Sequence, residues 1–125
     1  MKVGQSIIAA ASGINYSHDR RFLVNISVTI IGAGALGKAL AYSLSQIKAC
    51  DVRLYSRTGF VHEPFEVIDH GLPKSVQLKD EGLSETHVYF FTPKAYDLSH
   101  ALEEWLPRIK SSARVVLLSN GYIEP

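Results

Sequence analysis

The sequence predicts an α/β fold, a parallel sheet flanked by helices, and three observations carry that expectation. Short runs rich in β-branched and aromatic residues, Val28-Thr29-Ile30-Ile31, Val52-Arg53-Leu54-Tyr55, His87-Val88-Tyr89-Phe90-Phe91 and Val115-Val116-Leu117-Leu118, read as strands, the first and third of them buried inside a sheet. Between them apolar residues recur at helical spacing, first Leu36, Leu40, Leu44 and Ile47, then Leu98, Ala101, Leu102, Trp105, Leu106 and Ile109. Strands that alternate with helices are joined by crossovers, and crossovers make the strands parallel. The third observation is a cluster of glycines, Gly32, Gly34 and Gly37, directly after the first of these strands.

Residues 1–26 show no period and carry a polar patch from Asn15 to Arg21, so they are expected to form a loosely packed or partly disordered arm. The domain proper is then 27–125. Its first strand ends at the glycine cluster, and the helix that follows runs to about Lys48. Phe65-Glu66-Val67-Ile68 and Ser75-Val76-Gln77-Leu78 alternate apolar and polar residues around Gly71-Leu72-Pro73, the pattern of a hairpin. Trp105, on the apolar stripe of the second helix, is expected in the core. A full doubly wound sheet would continue beyond Val115–Leu118, so the chain reads as truncated before a further domain.

Composition narrows the function classes. The 125 residues are enough for one domain with a core of its own. A net charge of +1, with basic residues scattered, gives no field that would draw nucleic acid. No apolar run is long enough to cross a membrane, and the apolar residues near Met1 are too short and broken for a signal peptide, so a cytoplasmic address is expected. One cysteine, Cys50, allows no intrachain disulfide, and the five histidines lack metal-ligand spacing, so no metal site is expected.

Gly32-Ala33-Gly34-Ala35-Leu36-Gly37 matches the G-x-G-x-x-G fingerprint of Rossmann-type dinucleotide-binding domains, and it lies where the fingerprint has meaning, closing a strand and opening a helix. The first glycine permits the tight turn, the second lets a pyrophosphate approach the backbone, and the third lets helix and strand pack closely. The helix start offers unpaired N–H groups and the positive end of its dipole. An NAD site usually places an acid at the tip of the second strand to hold the ribose hydroxyls. Here that tip reads Tyr55-Ser56-Arg57-Thr58, and the nearby acid, Asp51, lies at the strand's other end. Arg57 is suited to a 2′-phosphate, with Ser56 and Thr58 as hydroxyl donors, so NADP(H) is the expected cofactor.

Three segments, in order, resemble the ketopantoate reductases (2-dehydropantoate 2-reductases): the glycine turn with its Gly-Ala-Leu-Gly ending, Thr92-Pro93-Lys94-Ala95-Tyr96, and Leu117-Leu118-Ser119-Asn120-Gly121. With Arg57 the resemblance covers about residues 27–122. It implies an enzyme that reduces ketopantoate to pantoate with NADPH, on the route to pantothenate. It further implies that Arg57 binds the 2′-phosphate and that Lys94 and Asn120 lie at the nicotinamide-ribose end, near the substrate. Two departures stand out: Ser119 replaces the usual Gln or His before Asn-Gly, and the bulky Tyr122 follows where small residues are usual. The family's catalytic lysine lies in a helical C-terminal domain. This chain is therefore expected to bind NADPH, to act on a small 2-oxo acid only where such a domain is supplied, and to self-associate through the surface that domain would cover. Two other readings fit the same residues: a non-catalytic nucleotide-binding module or gene remnant, and the cofactor domain of a different NADP-dependent reductase.

Overall fold

The computed structural model describes residues 25–79 and 85–118, apart from the side chains of residues 95 and 96. The arm assigned to 1–26 therefore lies almost wholly outside the described residues, as do Ser119, Asn120, Gly121 and Tyr122.

The first strand, β1 (Ile26–Ile31), is buried along its whole length and forms the centre of the sheet. Its β-branched side chains suit a position covered on both faces. Helix α1 (Ala35–Ser45) returns the chain to β2 (Cys50–Ser56), which pairs with β1 in parallel from Ile26↔Cys50 to Ile31↔Tyr55. A two-residue strand, β3 (Gly59–Phe60), folds back antiparallel on the end of β2. The hairpin of β4 (Phe65–Asp69) and β5 (Leu72–Val76) follows, then β6 (Val88–Phe91), which pairs in parallel with the other side of β1. Helix α2 (Ala95–Trp105), extended by a 3₁₀ turn at Leu106–Arg108, leads to β7 (Arg114–Leu117). The main sheet has the order β3-β2-β1-β6-β7, and all pairs but β2–β3 are parallel.

The alternation of side chains along each strand divides the core in two. Val28, Ile30, Leu54 and Phe90 point to the face covered by Leu40, Ala41 and Leu44 of α1, together with Val67 and Val76 of the hairpin. Ile31 and Phe91 point to the other face and pack against Trp105, with Leu98, Leu102 and Ile109 around them. Trp105 is 6% exposed, as the helical stripe predicts, and its ring meets Tyr55 edge-on at 4.8 Å between centroids. That contact holds α2 against the carboxyl end of β2.

The predicted parallel sheet with flanking helices is the observed one, and two local readings need correction. The hairpin turns at His70-Gly71 rather than at Gly71-Leu72-Pro73. Both turn residues have positive φ, 51° and 78°, as a two-residue turn matched to strand twist requires. Leu106 belongs to the 3₁₀ turn and is 50% exposed, because the change of helical pitch rotates it off the apolar stripe. Val115 and Leu117 are 40% and 52% exposed. Their strand forms as predicted, but it is the last in the sheet, so the described residues do not bury it.

Candidate functional site

The backbone of the glycine turn is held from both sides. The Gly32 N–H donates to the Tyr55 carbonyl at 2.9 Å, and the Thr92 hydroxyl lies 3.1 Å from the Ile31 carbonyl and 2.9 Å from that of Gly32. β2 and β6 thus clamp the end of β1. Gly32 has φ +117°, and a Cβ there would lie 2.5 Å from the Thr92 hydroxyl oxygen. At Gly37 a Cβ would lie 1.7 Å from the Gly32 carbonyl oxygen, so α1 sits directly on the turn. Both glycines are demanded by the protein's own packing.

Gly34 is different. Its φ of −80° and ψ of −167° are open to most residues, and among the described residues a Cβ there would meet nothing within 4 Å. Neither backbone nor packing among the described residues requires glycine at this position. It is the N-cap of α1, it makes no side-chain capping bond, and no acid occupies the first turn. The N–H groups of that turn, with the positive helix end, therefore face a space that no described side chain fills. This is the geometry a pyrophosphate needs, since its oxygens must come within hydrogen-bond distance of backbone. The residues fit a dinucleotide.

Two more predicted residues lie at the same edge. Arg57 is at the tip of the turn between β2 and β3, where Ser56 pairs with Gly59. The Ser56 hydroxyl donates to the Gly59 carbonyl at 2.9 Å and accepts from the Thr58 N–H at 3.3 Å, so it shapes the turn that carries Arg57. Lys94 is the N-cap of α2, exposed and without a side-chain partner among the described residues. The segment before it, Thr92-Pro93, touches the glycine turn, because the Cβ built on Gly32 would also lie 3.2 Å from the Pro93 nitrogen. The glycine turn, Arg57 and Lys94 thus gather at the carboxyl ends of β1, β2 and β6, the edge at which open α/β sheets bind ligands. Asn120, three residues past the end of β7, is outside the described residues.

The structure also supplies a residue that the sequence reading missed. Asp97, in the first turn of α2, pairs with the Arg57 guanidinium at 3.1 Å. Forty residues separate the two, so no local motif could have linked them. Asp51, by contrast, is at the amino end of β2, beside Asn25, as expected.

A cleft of about 520 Å³ lies at the opposite end of the sheet, between the end of α1, the start of β2 and the segment after β5. It contains none of the predicted site residues and is lined by the amino end of β2 and the carboxyl end of β5. Cys50 borders it, and burial beside Asp51 pushes its thiol pKa up, which makes the sulfur a poor nucleophile. Among the described residues no group of His, Cys, Asp and Glu could hold a metal ion, and no helix is long and apolar enough to cross a membrane.

Comparisons with known proteins bear on the family and the fold. Residues 28–124 match the family model described as ketopantoate reductase PanE/ApbA. Among solved structures the chain is similar to a dimeric ketopantoate reductase from Staphylococcus aureus, with a TM-score of 0.55 and 20% identity over 78% of this chain. It is also similar to a putative 2-dehydropantoate 2-reductase from the same organism, with a TM-score of 0.53 and 21% identity over 76% of this chain. The matches span only 37% and 34% of those chains. No curated protein sequence matches. The family match covers most of the chain and includes the glycine turn, Arg57 and the Thr92–Lys94 segment: this chain belongs to the ketopantoate reductase family and corresponds to its N-terminal domain.

Proposed function

We propose that this chain is the NADP(H)-binding part of a cytoplasmic reductase that converts 2-dehydropantoate to pantoate, in pantothenate biosynthesis. The observation that carries the reading is the open space at Gly34, at the N-terminus of α1 and on the same edge as Arg57. In this reading the backbone from Gly32 through Ala33, Gly34, Ala35 and Leu36 to Gly37 cradles the pyrophosphate. Arg57, held out on the turn shaped by Ser56, takes the 2′-phosphate. Lys94 and Asn120 bound the nicotinamide-ribose end. The bound cofactor supplies a hydride, and the protein's part is to hold and orient it. A small 2-oxo acid would need a second wall, and the S. aureus proteins, which extend well beyond the matched part, are read here as supplying it from a further domain.

The test is a fluorescence titration with NADPH and NADH, repeated on Arg57→Ala. An arginine–phosphate bond is a charge-assisted hydrogen bond, so its loss weakens NADPH by roughly 10- to 100-fold and leaves NADH nearly unchanged. Equal affinities for the two nucleotides in the unmodified protein would rule out the NADP(H) assignment.

A further inference from the structure

Arg57 is not waiting empty-handed for a phosphate. Its guanidinium is already engaged by the Asp97 carboxylate, 3.1 Å away, at a corner where Arg57 is 86% exposed and Asp97 36% exposed. Asp97 cannot easily move off. It sits in the first turn of α2, its N–H donates to the Lys94 carbonyl at 2.8 Å, and its charge favours the positive helix end. The flexible partner is the arginine, reaching across from the β2–β3 turn.

We infer that Asp97 is a specificity-determining residue, an internal anion that competes with the cofactor's 2′-phosphate for Arg57. The inference rests on the reading of Arg57 given above and refines it. An incoming phosphate carries close to two negative charges and needs the guanidinium donors. To obtain them it must displace the carboxylate, and it then stands beside that carboxylate with like charge. A ribose 2′-hydroxyl meets neither cost, because it carries no charge and a carboxylate can accept its hydrogen bond. Asp97 therefore lowers NADPH affinity while leaving NADH nearly untouched. The chain discriminates between the two nucleotides less than Arg57 alone would dictate.

The experiment is the same pair of titrations on Asp97→Asn, Asp97→Glu and the double variant Arg57→Ala with Asp97→Asn, each with a melting curve. The amide keeps size and shape and removes the charge. Asp97→Asn is expected to tighten NADPH about three- to tenfold, the combined effect of freeing an exposed ion pair and removing a like charge, with NADH changed less than about twofold. Asp97→Glu keeps the carboxylate and stays within about twofold of the unmodified protein for both nucleotides. When Arg57 is already alanine, the gain from Asp97→Asn shrinks, since no arginine remains to be freed. Unchanged NADPH affinity in Asp97→Asn, with Arg57→Ala still selectively weakening NADPH, would overturn the inference and leave the NADP(H) assignment standing. If Arg57→Ala has no selective effect, both fall together.

Discussion

The turn after β1 and the corner after β2 lie at the same edge of the sheet, and they are made of different materials. The first is backbone. Its shape comes from Gly32 and Gly37 pressed against Thr92 and against each other, with distances that leave no room for a Cβ. The second is side chain. Arg57 stands out from a tight turn, 86% exposed, and is held by one ion pair to a residue on another element. A pyrophosphate is common to every nicotinamide dinucleotide, and a rigid backbone cradle suits a group that never varies. The 2′-phosphate is the variable group, and in the proposed reading it meets a pair of charges whose interaction in water is weak enough to exchange. On that proposal, binding and discrimination fall to structures that respond differently to mutation and to solvent.

The comparison can be broken most severely at Gly37. Replacing it with alanine forces a methyl onto the Gly32 carbonyl, and neither group can move without separating α1 from the turn. Gly37→Ala is expected to destabilise the fold by roughly 3 kcal/mol or more, at the upper end of overpacking costs. A urea denaturation curve checks this, and near-normal stability would mean that the turn is softer than its contacts imply.

Gly34→Val comes next, and it separates cradle from fold. A side chain there meets none of the described residues, so the melting temperature should shift little, while NADPH and NADH should both lose affinity by about a hundredfold or more because backbone approach is blocked. The parallel loss of both nucleotides is the informative part. A variant that lost only NADPH would place discrimination in the backbone and erase the distinction drawn here.

The smallest effect expected is that of salt. At 0.1 M the screening length is about 10 Å, and the Arg57 corner is exposed, so raising salt from low to moderate levels should weaken NADPH a few-fold more than NADH. The same salt also screens Arg57 from Asp97, which keeps the effect modest. Titrations of both nucleotides across a salt series measure it. An NADPH preference that did not respond to salt would mean that the phosphate is bound by something more buried than Arg57.

Most of the fold and about half of the site are legible in the chain. The strand runs and the helical stripe around Leu40 and Leu44 identify the sheet and its flanking helix, because burial on both faces demands continuous apolar strands. The short β3 escapes notice, since two residues have no periodicity to detect. The hairpin's turn is displaced for a related reason. His70 adopts φ 51°, and a non-glycine residue in that region is not signalled by Gly71-Leu72-Pro73. The exposure of Val115 and Leu117 is invisible to a pattern that records only that they are apolar.

What the sequence by itself determined is the backbone cradle and its place. Glycine spacing after a strand is a local property, and local properties are written in neighbouring residues. Even so, Gly34, the glycine free for a ligand, looks identical on paper to Gly32 and Gly37, which serve packing. Only the tertiary structure separates them, because the difference is the presence or absence of atoms contributed from elsewhere, the Gly32 carbonyl above Gly37 and the Thr92 hydroxyl beside Gly32. Arg57 could be read as a lone cation at a strand tip. That it has a partner was decided by the docking of α2 on the sheet, where Trp105 packs on Tyr55 and the helix start carries Asp97 to within 3.1 Å of the guanidinium. A charge pair forty residues apart in the chain exists only once packing has brought its two elements together.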